Sequence, residues 1–442
     1  MKKLGGVKTP HHKNTAKCAA ETIPTPKEVR LPMSMHTGTP ANPVVSVGDY
    51  VKVGQLIGEA VGFVSAPVHA SVSGTVKSID TLDGITGEKA VSVTIASDGN
   101  QTLWEGLSPV QVTNLKEFLE AMKNSGVVGL GGGGYPTAPK FTLKETVKLD
   151  YILVNGAECE PYITSDTRTM VDDTEYLWYG VLLMKEYFKP KNIIICIENN
   201  KPEAIKKLGD LCKGKEGISV RVLPSLYPQG ERKILVYNVT GRIVPEGGRI
   251  PDIGCVVVNC TTVAVLAKYI KTGIPLVSRC VTVDGSAVKN PKNVIAPIGT
   301  PVRELFDYCG GLKDDVKKVT LGGPMMGVAI PSLDIPIVKI TSACLAFSAK
   351  DAETGESTAC IKCGRCIFKC PMNLMPPNIE NAFELKKPLL LKKFKVNMCA
   401  ECACCAFTCP AKRPLVQVMI LSKKMLKEYE KSQQAAAPKE AK

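Results

Sequence analysis

The chain has 442 residues, with 56 Lys or Arg against 42 Asp or Glu, which gives a formal net charge of +14. Its 44% hydrophobic and 22% charged residues are typical of globular protein and exclude a disordered or collagen-like chain. The length predicts about three domains. The sequence contains no apolar run of the roughly 18 to 20 residues that a membrane span needs, and its polar N-terminus predicts no secretory signal. We therefore expect a cytosolic protein, or one held at the cytoplasmic face of a membrane by partners.

The first third of the chain predicts an extended segment followed by a β-rich domain. Residues 1–40 are rich in Pro, His and Lys and are expected to be extended. Residues 41–105 contain two stretches of alternating strand pattern, Val44–Gly58 and Ala66–Ile79. They resemble a lipoyl- or biotinyl-type β-sandwich, but the segment Gly62–Ser65, where such carrier domains present a modified lysine, contains no Lys. We expect a structural module rather than a carrier.

Residues 110–275 alternate predicted helices and strands, a rhythm that favours a layered α/β domain. A glycine-rich loop, Gly129–Lys140, precedes the predicted strand Tyr151–Val154. Glycine permits positive φ and leaves backbone N–H groups unshielded, which suits close approach to a phosphate or a flavin. Lys140 could then pair with a phosphate and Tyr135 could stack on a ring. A merely flexible loop is the alternative, since the pattern matches neither the dinucleotide-binding fingerprint nor the P-loop.

Polar residues follow the predicted strands of this domain, at the strand end where α/β sheets bind ligands. Asn155 could hydrogen-bond a flavin edge, while Glu158 and Glu160 could engage the hydroxyls of a sugar chain. Alternatively, these carboxylates cap the following turn. Gly230–Glu231 and Asn259–Thr262 open further predicted helices and could meet the same pocket, although Ser and Thr at such positions are more often simple caps.

The C-terminal part of the chain predicts three further segments. Residues 276–335 return to strand signals around a predicted helix near Pro301–Tyr308, which suggests a small β-grasp-like module. Residues 336–425 are rich in cysteine and predicted to be helical. Residues 426–442 have the composition of a disordered tail.

The chain has eighteen cysteines, and in a reducing compartment these favour metal ligation over disulfides. Two runs, Cys360–Pro371 and Cys399–Pro410, each fit C-x2-C-x2-C-x3-C-P, the spacing of bacterial two-cluster ferredoxins. In that arrangement the fourth cysteine of each run ligates the other cluster. We assign one 4Fe–4S cluster to Cys360, Cys363, Cys366 and Cys409, and a second to Cys399, Cys402, Cys405 and Cys370.

Two alternatives remain for the cysteines and the charge around them. Zinc is the rival metal, although zinc ribbons use separated C-x2-C pairs, and Cys404 lies outside the pattern as an expected packing residue. Over residues 381–442 there are 13 Lys or Arg against 5 Asp or Glu, which is either a solvated surface or a patch that steers an acidic redox partner. No nucleic-acid motif accompanies this charge, so no nucleic acid is expected as a partner.

Together, these motifs resemble the RnfC family, whose members belong to the Rnf electron-transport complexes, over nearly the whole chain. The resemblance is carried by Val47–Asp49, Gly62–Ala70, Gly131–Thr137, Asn155–Tyr162, Gly322–Gly327 and both cysteine runs. The middle of the chain is also similar to the NADH-binding flavoprotein of respiratory complex I. The resemblance implies a multidomain α+β protein: a lipoyl-like β-sandwich, an α/β FMN- and NADH-binding domain, a β-grasp module of the SLBB type and a helical two-cluster ferredoxin domain.

The resemblance also implies ligands for these residues. FMN, bound non-covalently, would be cradled by Gly131, Gly132, Gly133, Gly134, Tyr135 and Lys140. Asn155 and Glu158 would contact the flavin, Glu160 would lie near the nicotinamide nucleotide, Gly230 and Glu231 would flank the NADH pocket, and Asn259 and Thr262 would approach the FMN phosphate. Gly133 and Tyr135 stand where these families often carry Ala and Phe. No general acid or base is required, and no catalytic residue is nominated.

The function implied is that of a peripheral, NAD(H)-reacting subunit of a membrane-bound, ion-translocating ferredoxin:NAD+ oxidoreductase. Its partners would be integral membrane and Fe–S subunits, with ferredoxin as an indirect donor, at the cytoplasmic side of the cell membrane. One alternative is a soluble flavin and Fe–S cobalamin reductase of microcompartments, which would share the same modules. A non-enzymatic Fe–S wire or scaffold is the other, and the glycine loop and acidic motif argue against it.

Overall fold

The computed structural model describes residues 3–83, 89–144 and 146–436 of the chain. It contains two compact units. The large unit comprises His11–Pro224 and Gly248–Ala352, and the cysteine-rich unit comprises Met1–Pro10, Ser225–Gly247 and Glu353–Lys442. Within the described ranges, no helix combines the length and apolar character that crossing a membrane requires.

The large unit begins with a β-sandwich. Its strands, with one that joins a later sheet, are β1 (Glu21–Thr22), β2 (Glu28–Pro32), β3 (Asn42–Pro43), β4 (Tyr50–Val51), β5 (Leu56–Glu59), β6 (Val68–His69), β7 (Gly74–Asp83) and β8 (Lys89–Ser97). A sheet in the order β2-β8-β7-β4 and a sheet in the order β3-β5-β6 enclose a core that includes the fully buried Val29, Leu31 and Ile95. The expected domain start at residue 41 is wrong, because β2 pairs antiparallel with β8 and completes the first sheet.

A parallel α/β layer follows the sandwich. Its elements, in chain order, are α1 (Leu115–Asn124), α2 (Thr137–Phe141), β9 (Tyr151–Gly156), α3 (Ser165–Asp172), α4 (Thr174–Phe188), β10 (Asn192–Glu198), α5 (Pro202–Cys212), β11 (Ile218–Leu223), α6 (Arg232–Thr240), a 3-10 helix (Ile250–Ile253), β12 (Cys255–Asn259) and α7 (Cys260–Thr272). The strands are parallel in the order β11-β10-β9-β12. Buried β-branched runs such as Val256–Val258 form the central strands, since helices cover both faces of a parallel sheet. The helix α6 lies in the cysteine-rich unit, outside the α/β domain expected at 110–275.

A mixed sheet completes the large unit. Its elements are β13 (Ser278–Asp284), β14 (Lys292–Pro297), α8 (Val302–Tyr308), β15 (Val316–Leu321), β16 (Val328–Ala329), β17 (Ala343–Ser348) and α9 (Ala349–Ala352). The strand order is β1-β14-β13-β17-β15-β16, and Leu305 and Phe306 of α8 pack into its core. The expected end of this module at residue 335 is wrong, because β17 lies between β13 and β15.

The cysteine-rich unit is helical. Its later elements are α10 (Arg365–Phe368), α11 (Pro376–Glu384), α12 (Pro388–Lys393), a 3-10 helix (Val396–Met398), α13 (Cys404–Phe407) and α14 (Leu415–Ala436). Ile379, Leu391 and Leu426 belong to one buried core that joins α11, α12 and α14. The expected tail is wrong over 426–436, where α14 continues because Leu426 is buried and Glu430 pairs with Lys392 at 3.3 Å. Residues 437–442 lie outside the described residues.

Candidate functional site

The glycine-rich loop of the large unit forms a tight turn with an open outer surface. The Gly129 N–H donates to the Tyr135 carbonyl at 2.9 Å, and the Gly134 N–H donates to the Gly129 carbonyl at 3.0 Å. Gly132 and Gly134 have φ values of +92° and +60°, a region that glycine enters without strain. A Cβ added at Gly132 or Gly133 would meet nothing within 4 Å. A ligand can therefore approach this backbone closely.

Two predicted residues at the start of α7 hold the base of this loop. The Leu130 N–H donates to Thr262 Oγ1 at 3.0 Å, and the Thr262 hydroxyl donates to the Val128 carbonyl at 3.2 Å. The Thr262 N–H donates in turn to Asn259 Oδ1 at 3.1 Å, which caps α7. A Cβ at Gly131 would lie 3.1 Å from Asn259 Nδ2, so the loop and this amide are immediate neighbours. The Thr262 hydroxyl is thus engaged by the loop itself.

Asp166 connects the glycine loop to the acidic motif. The Asn259 amide donates to Asp166 Oδ2 at 2.7 Å, and Thr261 Oγ1 donates to Asp166 Oδ1 at 2.6 Å. Asn155 and Asn259 are register partners at the carboxyl ends of β9 and β12. The sheet therefore brings both predicted asparagines together at the edge where α/β sheets bind ligands.

Glu158 caps the helix α3. Its Oε1 accepts the Asp166 N–H at 2.6 Å and the Thr167 N–H at 3.3 Å, and its Oε2 accepts the Thr167 hydroxyl. The capping alternative from the sequence thus describes this carboxylate, which also lies one hydrogen bond from the Asp166 backbone. The network runs without interruption from the glycine loop through Thr262, Asn259 and Asp166 to Glu158.

The backbone of the acidic motif is held by two lysines that sequence reasoning missed. Lys13 Nζ donates to the carbonyls of Glu158, Glu160 and Ile163 at 2.9, 2.8 and 2.5 Å. Lys201 Nζ donates to the Ala157 carbonyl at 2.7 Å. Burial lowers the pKa of Lys13 to about 8, and the nearby Glu158 carboxylate opposes that shift.

Buried carboxylates face these lysines. Glu198, at the end of β10, is 1% exposed and pairs with Lys201 at 3.7 Å. Burial raises the pKa of Glu198 and of Glu158, and the Lys13 and Lys201 ammonium groups oppose both shifts. Two positive and two negative side chains therefore balance one another beneath the acidic motif.

Glu160 joins the acidic motif to the mixed sheet. Its Oε2 accepts the Met325 N–H at 3.0 Å, and a Cβ at Gly323 would clash with that oxygen. Only glycine fits at this contact. Two motifs far apart in sequence, Asn155–Tyr162 and Gly322–Gly327, therefore meet in the large unit.

Near the loop, two buried polar atoms have no hydrogen-bond partner among the described residues: Thr137 Oγ1, just after the glycines, and Arg279 Nη1. Arg279 Nη2 donates to the Leu130 carbonyl at 3.3 Å, so this guanidinium reaches the base of the loop. Buried polar groups without partners carry a free-energy penalty and often mark places where a ligand binds. Tyr135 and Lys140 lie beside Thr137 in sequence and are half-buried.

Gly230 and Glu231 lie in the cysteine-rich unit, at the start of α6. Glu231 caps this helix, because its carboxylate accepts the N–H groups of Lys233 and Ile234 at 2.8 and 2.9 Å. The preceding Tyr227 exchanges backbone hydrogen bonds with Val7 at 2.9 and 3.0 Å. The alternation of helix and strand could not reveal that this segment leaves the α/β layer.

The cysteine-rich unit gathers the predicted cysteine ligands into two separate cavities. One cavity is lined by Cys360, Cys363, Cys366 and Cys409. The other is lined by Cys370, Cys399, Cys402 and Cys405, with Cys404 also in its wall. The fourth cysteine of each run therefore lies with the first three of the other run.

The two cavities suit a cluster better than a single ion. Among the described residues, no three His, Cys, Asp or Glu side chains converge closely enough to hold one metal ion. A zinc ion with Zn–S bonds of about 2.3 Å needs such convergence. Backbone N–H groups of Lys362, Leu374 and Glu401 point at Cys360, Cys370 and Cys399 sulfurs at 3.3–3.4 Å, as thiolates require.

Several residues of the network escaped sequence reasoning, namely Lys13, Asp166, Glu198, Lys201 and Arg279. Asp166 had a usable signal, because Ser165–Asp166 opens a helix that the periodicity could have revealed. Lys13 and Arg279 had none, since their acceptors are backbone carbonyls more than a hundred residues away.

Three family models match the chain. They are the RnfC barrel sandwich hybrid domain over residues 1–100, the Nuo51 FMN-binding domain over 122–268 and the SLBB domain over 280–329. A relative from Clostridium ljungdahlii, a component of a proton-translocating ferredoxin:NAD+ oxidoreductase complex, is 40% identical, covering 82% of this chain and 80% of its own. The chain belongs to the RnfC family.

Other relatives agree with this assignment. The RnfC-type relative in Acetobacterium woodii, a component of a Na+-translocating ferredoxin:NAD+ oxidoreductase complex, is 38% identical over 85% of this chain and 86% of its own. The relative in Rhodobacter capsulatus, from an ion-translocating oxidoreductase complex, is 36% identical over 84% and 73%. The expected lipoyl-like, flavin-domain and SLBB modules are confirmed.

Proposed function

We propose that the chain is the NAD(H)-reacting subunit of a membrane-bound, ion-translocating ferredoxin:NAD+ oxidoreductase, and that it binds FMN and two 4Fe–4S clusters. The observation that carries the proposal is the sorting of eight cysteines into two cavities of four. That sorting matches the crossed ligation of two-cluster ferredoxins. A wire or scaffold would need the cysteines alone, whereas this chain also has a matching flavin domain.

The large unit has the features that an FMN site requires. The exposed loop Gly131–Gly134 would lie against the ligand, and Arg279 Nη1 and Thr137 Oγ1 are buried donors with capacity left. Asn259 and Asn155 would present amides from adjacent strand ends, and Tyr135 and Lys140 would flank the loop. Glu158 and Glu160 would border the same edge, and we propose that Gly230 and Glu231 border the NAD(H) path.

A flavin supplies the exchange between single electrons and hydride that links Fe–S clusters to a nicotinamide. The chain's own residues bind, orient and shield. The Thr262–Asn259–Asp166 network fixes the loop backbone, and the cysteine-rich unit surrounds each cluster cavity with apolar residues such as Val416, Met419 and Leu415. We assign no proton transfer to any side chain at the flavin.

The membrane partners in this proposal come from the names of the relatives, which are components of ion-translocating complexes. We propose that the chain binds integral membrane and Fe–S subunits from the cytoplasmic side, and that ferredoxin donates electrons through them. Ion translocation itself would belong to those partners.

Anaerobic purification from native membranes tests the proposal, with iron, sulfide, flavin and co-purifying chains all quantified. We expect about eight irons and one FMN per chain, together with hydrophobic partner subunits and NADH-dependent reduction of a dye by the isolated chain. Irons and FMN in a soluble fraction without membrane partners would favour the cobalamin-reductase alternative. Irons without flavin would leave only an electron wire.

A further inference from the structure

A short N-terminal segment, residues 11–16, lies along the acidic motif of the large unit and is called the strap here. The Tyr162 N–H donates to the His11 carbonyl at 2.9 Å, and the His12 ring stacks on Tyr162 with centroids 4.7 Å apart. Further along, the Asn293 amide donates to the Thr15 carbonyl at 2.9 Å. The strap is therefore anchored at both ends by contacts that do not involve Lys13.

Lys13 lies between these anchors and uses its full donor capacity on one loop. An ammonium group has three N–H donors and no acceptor. All three acceptors are carbonyl oxygens of the acidic motif, at Glu158, Glu160 and Ile163. Three carbonyl dipoles that converge on one point repel one another unless a cation lies between them.

The loop that Lys13 holds has an unusual backbone. Glu158 and Tyr162 have φ values of +47° and +68°, a left-handed region that non-glycine residues seldom adopt. Such conformations persist only where surrounding contacts hold them, and they cluster at ligand sites. This loop also directs the Glu158 carboxylate to α3 and the Glu160 carboxylate to Met325.

We propose that Lys13 is a positioning residue: it holds the acidic loop in the conformation needed to bind the nicotinamide dinucleotide. The inference rests on the proposed function, which places that ligand at this edge of the sheet. Lys13 also offsets the negative charge of Glu158 and Glu198, which an anionic dinucleotide would otherwise meet. Its loss weakens binding through both the loop and the charge.

The test uses the full chain loaded with FMN and clusters, and three variants. Lys13→Met removes the charge and the three donors. Lys17→Met is the matched control, since it removes the same charge from an exposed position just after the strap. Lys13→Arg keeps the charge, but a planar guanidinium fork cannot reproduce three convergent contacts.

NADH-dependent dye reduction gives the first readout. For Lys13→Met we expect KM for NADH to rise about tenfold or more, as loss of charged hydrogen bonds implies, with a much smaller fall in kcat and FMN retained. Lys13→Arg should show an intermediate KM, and Lys17→Met should match the wild type. If Lys13→Met does not fold, the Lys13→Arg variant carries the test.

Hydrogen exchange of the acidic loop gives a second readout, independent of NADH. Amides of residues 158–163 should exchange faster in Lys13→Met than in wild type or Lys17→Met. Faster exchange with an unchanged KM overturns the positioning role. A wild-type chain that reduces no dye with NADH overturns the proposed function instead, and is recognised before any variant is compared.

Discussion

At the scale of single residues, the large unit is organised around buried cations that donate to backbone carbonyls. Lys339 is the clearest case: it is 1% exposed, and its Nζ donates to the carbonyls of Pro67 and Gly126 at 2.5 and 2.8 Å. Burial alone lowers its pKa to about 7. Its neighbours His36 and His69 are also buried, which lowers their pKa values, that of His69 to about 3. No carboxylate is among the groups that shift the Lys339 pKa.

Replacing this cation should make stability depend on pH. Between pH values of about 7 and 10.5 the unfolded chain holds a proton that folded Lys339 has released, so the wild type gains stability from this group as pH rises. Lys339→Met leaves two buried carbonyls without donors, which should lower the free energy of unfolding near pH 7 by about 1–3 kcal/mol. The deficit should be larger near pH 10.

Urea unfolding followed by tryptophan fluorescence measures this effect, because Trp104 and Trp178 both lie in the large unit. Lys116→Met, at an exposed position on α1, is the control and should show no change in either condition. A deficit of the same size near pH 7 and near pH 10 would contradict the titration of Lys339.

Asp166 is the residue on which the binding network depends. Asp166→Asn places an amide N–H group opposite the Asn259 and Thr261 donors, so one charged hydrogen bond is lost. We expect FMN to bind about tenfold more weakly, in line with the value of a charged hydrogen bond. Flavin fluorescence titration of the apoflavoprotein measures this, with the exposed Asp173→Asn at the other end of α3 as the control. Equal affinities for both variants would remove Asp166 from the site.

At the scale of elements, the first turn of α7 joins the sheet to the glycine loop. Its cap, Asn259, ends β12, and its third residue, Thr262, is fully buried and bonded to both sides of the loop base. The positively polarised start of this helix therefore lies beside Gly131, where an anionic ligand would be favoured.

Thr262→Val tests whether this element supports the loop. Valine fills the same space but leaves the Leu130 N–H and the Val128 carbonyl unpaired, which should cost about 1–3 kcal/mol of stability and reduce FMN retention during gel filtration. Thr272→Val removes a hydroxyl at the far end of the same helix, bonded to the Lys268 carbonyl. It should keep its FMN, and flavin loss from both variants would indicate general destabilisation.

Sequence predicts an element well where its burial pattern is local. The runs that form β9, β10 and β12 are buried on both faces and unambiguous, and Asn114 caps α1 as a helix start should. The helix α3 was missed because its polar sequence, Ser165–Asp172, is buried through hydrogen bonds to the network rather than through apolar periodicity.

Long-range placement was not predictable in the same way. The residues around Tyr227 join the cysteine-rich unit through backbone pairing with Val7, which no side-chain pattern announces. Lys13 reads as part of a polar N-terminus until the loop that it binds has formed. The candidate site was therefore predictable in its glycines, asparagines and cysteines, but not in the cations that hold them.

At the scale of the whole molecule, the division into two compact units separates the chemistry. The cysteines lie in a helical unit with its own core around Ile379, Leu391 and Met419. The glycine loop and the network at Asp166 lie in the large unit, which has other cores. Damage to one set of ligands should therefore leave the other cofactor in place.

Cys363→Ala tests this independence. Cys363 is exposed and lines the first cysteine cavity, so its removal should eliminate one cluster, about half of the iron, while FMN stays bound. Cys404→Ala is the matched control from within a cysteine run: Cys404 is fully buried beside Tyr227 and should leave the full iron content. Iron, sulfide and FMN per chain, measured after anaerobic purification, decide the outcome. Flavin loss from Cys363→Ala would show that the two units depend on each other, and iron loss from Cys404→Ala would show that the ligand assignment is wrong.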